Sequence, residues 1–306
     1  MQFRFSKLVA CVALGITASF LYADTYALCI GINDYPTGKD ENGKDVDNDL
    51  NGCVNDAKSM HDLLMSKFGV EDSHIKVLLD GEANADGFVA GVKWLLDTAK
   101  PGDQVVFSYS GHGARLEDKE AETGYESVIV LADRQLVPGK LFQTISRRFA
   151  DAGVNSTYVF DSCFSGGMSR PAMDEMKIKV KSLGDLHRGK IVDQVKKKDF
   201  VSTKKRGAAD EKGQYAFLFA GRDDQPTIDI TLKDTPAHGL FTLLFLGSME
   251  DNANVPIKDL FGSLNAILDE INKGMKEKRP DAEGFDQKPG FDTSSETRAD
   301  KPIVIS

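Results

Sequence analysis

Two short motifs carry side chains that could cooperate in nucleophilic catalysis. Tyr109–Gly113, YSGHG, places His112 between two glycines, and Asp161–Gly167, DSCFSGG, contains Cys163. Each motif follows an apolar run that predicts a buried parallel strand. The carboxyl ends of such strands meet at one edge of an open sheet, so we expect the imidazole and the thiol to lie within reach of each other. A thiol nucleophile needs a neighbouring imidazole, either as a base or as a cation that lowers the pKa of the thiol.

Taken singly, each residue has a simpler interpretation. A histidine between two glycines is more often an ordinary loop residue, and a single cysteine after a strand is more often a small buried hydrophobic residue. The pair is more specific, because the separation of 51 residues between His112 and Cys163 agrees with the spacing of roughly 50 in one class of cysteine peptidases. The other histidines show no metal-ligand spacing and are predicted to be surface or core residues: His61, His74, His187 and His238.

The elements that must position these motifs follow an alternating pattern. From Tyr26 onward, strand-like apolar runs alternate with helix-like segments, which indicates an α/β fold with a mainly parallel sheet flanked by helices on both faces. The predicted strands are 26–32, 74–79, 104–110, 127–131, 156–160, 215–220 and 301–305. The predicted helices are 56–68, 88–99, 140–149, 238–247 and 255–271.

The composition excludes several classes of protein. The chain has 306 residues, a formal charge of -9 and a mean hydropathy of -0.29. These values are typical of a globular protein and exclude disorder, collagen and a protein with several membrane spans. The net acidity argues against a general nucleic-acid binder. Four cysteines, at positions 11, 29, 53 and 163, are too few for a disulfide scaffold.

Two segments depart from the alternating pattern. Residues 1–23 combine a positive start with an apolar stretch and are predicted to be a signal peptide cleaved after Ala23, so we expect export to the periplasm or the medium. An uncleaved anchor or a buried first helix is the alternative interpretation. Residues 171–214 contain 12 Lys or Arg and 7 Asp or Glu, with little apolar periodicity, and are predicted to be an exposed basic linker.

Four motifs in order carry a family resemblance. They are ALCIGIN at 27–33, LNGCVNDA at 50–57, and the His112 and Cys163 motifs; segments 219–222 and 239–242 add to them. From about Tyr26 to Phe245 the chain resembles the caspase-like cysteine peptidases, closest to the metacaspases and their prokaryotic relatives. The resemblance implies a caspase-like three-layer sandwich. In it, 24–170 would be the large-subunit-like part and 215–306 the small-subunit-like part.

The resemblance also implies roles for the motif residues. Cys163 would attack the scissile carbonyl, and His112 would act as the base and then protonate the leaving amine. The backbone N–H groups of Gly113 and Cys163 would form the oxyanion hole. The chain would therefore be a cysteine endopeptidase with a His/Cys dyad.

The same resemblance implies the preferred substrate. Metacaspases cleave after Arg or Lys, and the matching pocket positions here are Asp56 and Asp161, with Cys53 and Ser110 as walls. Opposing carboxylates would offset the desolvation of a buried cation. Asp56 also has a purely structural interpretation as a residue favoured by the dipole at the start of a helix. The expected partners are thus proteins or peptides with Arg or Lys at the cleavage site, with neither nucleic acid nor a membrane span after signal removal.

The basic linker also offers sites for self-processing. Such a peptidase could cut itself in the basic linker, for example after Lys198 or Arg206. The chemistry needs no cofactor, and no metal ligand is assigned, but calcium is left open as an activator bound by the acidic loops around 45–49 and 117–126. The alternatives are a peptidase of the same clan with another preference before the cut, and a non-catalytic binding module with the caspase fold.

Overall fold

The computed structural model describes residues 23–39, 42–121, 123–163, 176–186, 189–192, 213–222, 225–278, 280 and 284–305. The predicted signal peptide, apart from Ala23, lies outside these residues, as do Lys198 and Arg206. The described strands are β1 Thr25–Gly31, β2 Gly38–Lys39, β3 Asp45–Val46, β4 Ile75–Leu79, β5 Gln104–Ser110, β6 Gly113–Glu117, β7 Tyr125–Val130, β8 Leu136–Pro138, β9 Asn155–Asp161, β10 Met176–Val180, β11 Ser182–Leu186, β12 Tyr215–Phe219, β13 Ile228–Leu232, β14 His238–Gly239 and β15 Gly290–Thr293. The described helices are α1 Cys53–Phe68, α2 Ala85–Thr98, α3 Gly139–Asp151, α4 Leu240–Asp251, α5 Ile257–Lys278 and α6 Glu296–Ala299.

A six-stranded sheet forms the centre of the fold, in the order β15-β12-β9-β5-β1-β4. Neighbouring strands are parallel except for β15, which runs antiparallel to β12 at the edge. The central strands β1, β5 and β9 are buried almost throughout, because helices cover both faces of a parallel sheet. This burial explains why they are continuous apolar runs rather than alternating ones.

Helices cover each face of the sheet. On one face, α2 and α3 bury Phe88 and Phe142 against β5 and β9. On the other face, α1, α4 and α5 bury residues such as Leu64, Phe241 and Leu264. The predicted α/β fold, a mainly parallel sheet flanked by helices, is therefore confirmed. None of the helices in the described part of the chain combines the length and the apolar character that a membrane span requires.

Two smaller sheets lie beyond the carboxyl ends of the central strands. One has the order β10-β13-β14, and the other has the order β11-β6-β7-β8. β10 pairs antiparallel with β13, and β11 pairs parallel with β6. A single residue, Lys181, separates β10 from β11, so one continuous segment joins the two smaller sheets.

The predicted exposed linker is wrong over residues 176–186, whereas residues 189–191 are exposed as predicted. Residues 176–186 form β10 and β11, and Lys181 has no exposed surface. The MKIKV sequence of β10 alternates apolar and basic residues, which is the pattern of a strand with one buried face. The lysines of this segment made it look like part of a solvated basic linker, so the alternation was not interpreted as a strand. Residues 193–212 lie outside the described residues.

Two other predicted elements differ at the carboxyl-terminal end. Residues 301–305 form no strand, although Ile303 and Val304 are buried and the Ile303 carbonyl accepts a hydrogen bond from Thr157. The edge of the central sheet is instead formed by β15, whose polar sequence GFDT gave no strand signal. The helix predicted over 238–247 begins at Leu240, because His238 and Gly239 pair with β13.

Candidate active site

The two motifs lie side by side at the carboxyl edge of the central sheet. Ser110, the last residue of β5, pairs in register with Asp161, the last residue of β9, and the amide of Gly111 donates to the Asp161 carbonyl. Gly111 is required by close packing: a Cβ at this position would lie 2.6 Å from the hydroxyl oxygens of Tyr109 and Tyr35. His112 follows this turn, so its backbone is fixed by the end of the sheet.

The His112 ring is held by backbone and aromatic contacts. Its Nε2 lies 2.6 Å from the carbonyl oxygen of Asn48, and its ring centroid lies 4.6 Å from that of Tyr35. A carbonyl oxygen only accepts, so Nε2 carries the proton and Nδ1 presents the lone pair. Nδ1 is buried and has no hydrogen-bond partner among the described residues. Burial disfavours the charged form and lowers the pKa of His112 to about 4, so the ring is a neutral base.

Cys163 lies two residues beyond the end of β9 and is only 1% exposed. Its thiol donates to the carbonyl oxygen of Gln225 at 3.2 Å. Its amide donates at 3.2 Å to the carbonyl oxygen of Lys181. The three cysteines of the described chain, Cys29, Cys53 and Cys163, are all buried and not joined by disulfide bonds.

The carbonyl oxygen of Lys181 lies between the two predicted oxyanion-hole donors. The amide of Gly113 donates to it at 3.0 Å, and the amide of Cys163 donates to it at 3.2 Å. The amide of Lys181 itself donates to the Thr227 carbonyl, which continues the pairing of β10 with β13. The backbone of this one lysine therefore contacts both predicted motifs at once.

The Lys181 side chain enters the predicted acidic pocket. Its Nζ lies 3.1 Å from Asp56 Oδ2, 3.1 Å from Asp161 Oδ1 and 2.8 Å from Ser110 Oγ. Burial alone would lower the pKa of Lys181, but the carboxylates outweigh it and raise that pKa well above its ordinary value. Three of the four predicted pocket residues thus meet on one ammonium group.

Cys53, the fourth predicted pocket residue, is fully buried at the start of α1, one turn before Asp56. Burial raises the pKa of its thiol well above the usual value, although Lys181 opposes this change. Its thiol is therefore uncharged at neutral pH.

Hydrogen bonds hold both pocket carboxylates in place. Asp56 Oδ1 accepts from His238 Nδ1 at 2.9 Å and from the Gly239 amide at 3.1 Å. Asp161 Oδ2 accepts from the amide and the hydroxyl of Thr242, at 3.0 and 2.6 Å. These hydrogen bonds fix both carboxylates beside the Lys181 ammonium group.

Several residues of the site were not predicted from the sequence. Tyr35 and the Asn48 carbonyl orient His112, and His238 supports Asp56 although it was predicted to be an ordinary surface or core residue. Asp229 on β13 accepts from the amides of Asn51 and Gly52 just before α1. The sequence carries no motif for these residues, because each acts through a contact between distant segments.

The acidic loops at 45–49 and 117–126, the predicted candidates for calcium, provide no metal-ligand group among their described residues. In the loop after His112, Asp118 and Glu126 both contact Lys140, at 2.9 and 3.9 Å. Across the described parts of the chain, no group of three or more His, Cys, Asp or Glu side chains could hold a metal ion. Glu122 lies outside these parts.

Comparison with known proteins agrees with this arrangement. Residues 26–170, which include the strands that precede His112 and Cys163, match the family model for the metacaspase peptidase C14 domain. Metacaspase-7 of Arabidopsis thaliana is 34% identical over 158 residues, which cover 49% of this chain and 37% of that protein. Metacaspase-4 of the same plant is 27% identical over 262 residues, which cover 79% of this chain and 55% of that protein. Residues 26–170 are therefore similar to the metacaspase peptidase domain, and the chain is similar in sequence to the plant metacaspases.

A solved structure supports the fold independently. A protein from Geobacter sulfurreducens superposes with a TM-score of 0.60 at 18% sequence identity, over 92% of this chain and 99% of that one. At that identity the match concerns the fold alone. The chain spans 37% of the length of metacaspase-7 and 55% of that of metacaspase-4.

Proposed function

We propose that the protein is a cysteine endopeptidase that cleaves peptide bonds after Lys or Arg. One observation carries this proposal: Lys181 is held as the residue before a cut would be held. Its carbonyl oxygen accepts from two amides at the base of the Cys163 motif, and its ammonium group lies between two buried carboxylates. A lysine or arginine from another chain would find the same contacts.

The proposed chemistry uses the neutral state of His112. Nδ1 takes the thiol proton of Cys163, and the sulfur attacks the carbonyl carbon of the residue before the cut. The amides of Gly113 and Cys163 stabilise the oxyanion, as they already bind the Lys181 carbonyl. The imidazolium then protonates the leaving amine, which gives a thioester that water hydrolyses. Because the Asn48 carbonyl accepts a hydrogen bond from the Nε2–H group, the ring keeps its orientation while Nδ1 takes up and releases the proton.

Self-processing is part of the proposal, with the Lys181–Ser182 bond as its site. β10 and β11 anchor the chain on either side of this bond, and Ser182 pairs in register with Gly113. Lys198 and Arg206 remain further candidates.

Peptide hydrolysis tests the proposed function. Fluorogenic peptides ending in Lys, Arg, Asp or Asn are offered to the purified protein and to its Cys163→Ala variant, with calcium or with EDTA. We expect cleavage after Lys and Arg only, and its loss in the variant, because the pocket carboxylates favour a cation. Cleavage after Asp or Asn would indicate another specificity, and no cleavage in any condition would favour the non-catalytic binding module.

Mass spectrometry tests self-processing. We expect the wild type to yield one fragment that ends at Lys181 and one that begins at Ser182, and Cys163→Ala to stay intact. Lys181→Ala should lose this cut, whereas Lys190→Ala, which changes an exposed lysine nearby, should keep it. A wild type that stays intact under conditions where it cleaves peptides would refute self-processing. Cuts only after Lys198 or Arg206 would show that self-processing occurs there and not at the Lys181–Ser182 bond.

Export of the protein and activation by calcium are two further parts of the proposal. The charged and apolar pattern of residues 1–23 supports export of the protein. The proposed chemistry itself requires no cofactor, and the calcium and EDTA arms of the peptide assay test whether calcium activates the enzyme.

A further inference from the structure

The segment before Lys181 resembles a substrate strand added to the enzyme. β10 pairs antiparallel with β13, and Ile178 lies opposite Ile230 in an apolar cluster. Strand addition of this kind fixes alternate side chains of a bound peptide in separate subsites. If Lys181 occupies the position before the cut, called P1, then Lys179 occupies the position two residues earlier, called P3.

We propose that Asp47, the carbonyl of Asp49 and Asp229 form a subsite that selects a basic residue at P3. This inference rests on the proposed function, because it assumes that β10 lies as a substrate would lie. These three groups would determine specificity outside the pocket around Lys181.

The loop before α1 provides two of the contacts. Lys179 Nζ donates to the Asp49 carbonyl at 2.6 Å and lies 3.7 Å from Asp47 Oδ2. The amide of Asp49 and the charge of Lys179 lower the pKa of the Asp47 carboxyl, so this carboxyl is ionised at neutral pH. A carbonyl and a carboxylate bind a cation well and offer nothing to an acidic side chain, which would be repelled.

Asp229 faces the same subsite from the opposite strand. It lies directly across from Lys179 in the antiparallel register, so the two side chains share one face with their Cβ atoms about 4.5–5.5 Å apart. Asp229 Oδ2 accepts two backbone amides, whereas Oδ1 is buried and has no hydrogen-bond partner within the described residues. A buried carboxylate oxygen without a partner favours a nearby cation.

Peptides that differ only at P3 test the subsite. The panel is Ile-Lys-Val-Lys, Ile-Ala-Val-Lys and Ile-Glu-Val-Lys, each with a fluorogenic leaving group, and only ratios of kcat/KM are compared. Competition from β10 and effects on the P1 pocket then cancel. We expect the wild type to prefer Lys over Glu at P3 by about tenfold or more.

Two variants and one control locate that preference. Asp47→Asn should reduce the preference for Lys over Glu at P3 about two- to fivefold, as for an exposed ion pair. Asp229→Asn, as a single variant, should reduce the same preference by a larger factor. Asp45→Asn is the matched control: it changes an exposed carboxylate in the same loop that pairs with Lys39 and should leave the ratio unchanged. Equal cleavage of the three peptides, or an equal change in the control, would overturn the inference.

A second measurement separates this inference from the proposed function. Alkylation of Cys163 reports whether β10 and Lys181 cover the site and needs no turnover. Lys179→Glu should speed alkylation several-fold by weakening the hold on β10, whereas Lys190→Glu should not. Faster alkylation without peptide cleavage would reject the peptidase but retain the acidic contact. Normal cleavage with no effect of P3 and no change in alkylation would reject the subsite alone.

Discussion

Lys179 and Lys181 lie two residues apart in one segment and both contact aspartates, but their surroundings differ. Lys181 forms two buried ion pairs, because its Nζ lies 3.1 Å from a carboxylate oxygen of Asp56 and 3.1 Å from one of Asp161. The pair between Lys179 and Asp47 has a separation of 3.7 Å, and their side chains are 32% and 71% exposed. The same charges interact far more strongly away from water, because solvent screens an exposed pair.

This difference assigns different roles to the two contacts. A buried pair that loses one partner leaves an uncompensated charge, so the carboxylates around Lys181 should determine whether a side chain can be accepted in that pocket at all. An exposed pair contributes little to stability and can only bias the choice among accepted sequences. The comparison therefore predicts a strict requirement at P1 and a graded preference at P3.

The largest expected effect comes from removing a buried charge. Asp161→Asn keeps an acceptor for Thr242 but leaves the Lys181 ammonium with one carboxylate, and we expect the free energy of unfolding to fall by about 3–5 kcal/mol. Asp97→Asn is the matched control, because Asp97 forms an exposed pair with Lys93 on α2 and should cost only about 0.3–0.5 kcal/mol.

Urea unfolding of both variants measures this difference. The double variant Asp161→Asn, Lys181→Met should recover part of the loss, since it removes the charge that was left uncompensated. If Asp161→Asn is no more destabilising than Asp97→Asn, the buried pair does not have the energetic weight that its geometry implies.

The sequence predicted the centre of the fold better than its edges. β1, β5 and β9 are continuous apolar runs between turn residues, which is why their bounds were predicted to within one residue. β15 escaped prediction because an edge strand with the sequence GFDT has no apolar period. A strand at the edge needs fewer apolar side chains, so its sequence says less about its structure.

The site shows the same limit for a different reason. His112, Cys163, Asp56 and Asp161 stand in recognisable motifs, and the structure brings their segments together around Lys181. Lys181 itself is one of 12 basic residues between 171 and 214, and nothing in its local sequence distinguishes a buried lysine from a solvated one. Its burial depends on two carboxylates that lie 125 and 20 residues earlier in the chain, and such pairing is decided by tertiary structure.

A smaller effect should appear in the pH dependence of the free energy of unfolding. Here a buried histidine, His112, should act in the opposite direction to a partly exposed one, His61. The pKa of His112 is lowered to about 4 by burial, whereas the pKa of His61 is raised by its contacts with Asp62 and Asp72. Between pH 6.5 and 4 the unfolded chain binds a proton at His112 that the folded chain does not. The contribution of His112 to stability therefore falls as the pH falls through this window, by about 3 kcal/mol in total. His61 acts in the opposite direction, since its raised pKa adds stability at low pH that is lost as the pH rises.

Unfolding free energies measured from pH 7.5 to 4 check these signs. The decline on acidification should be shallower in His112→Asn than in the wild type, because the variant has no neutral imidazole to bury at that position. His61→Ala should make the decline steeper, since it removes a group that binds its proton more tightly when folded. Parallel curves for the wild type and His112→Asn would mean that His112 is not buried as a neutral base. The proposed proton transfer from Cys163 to Nδ1 would then start from the wrong charge state.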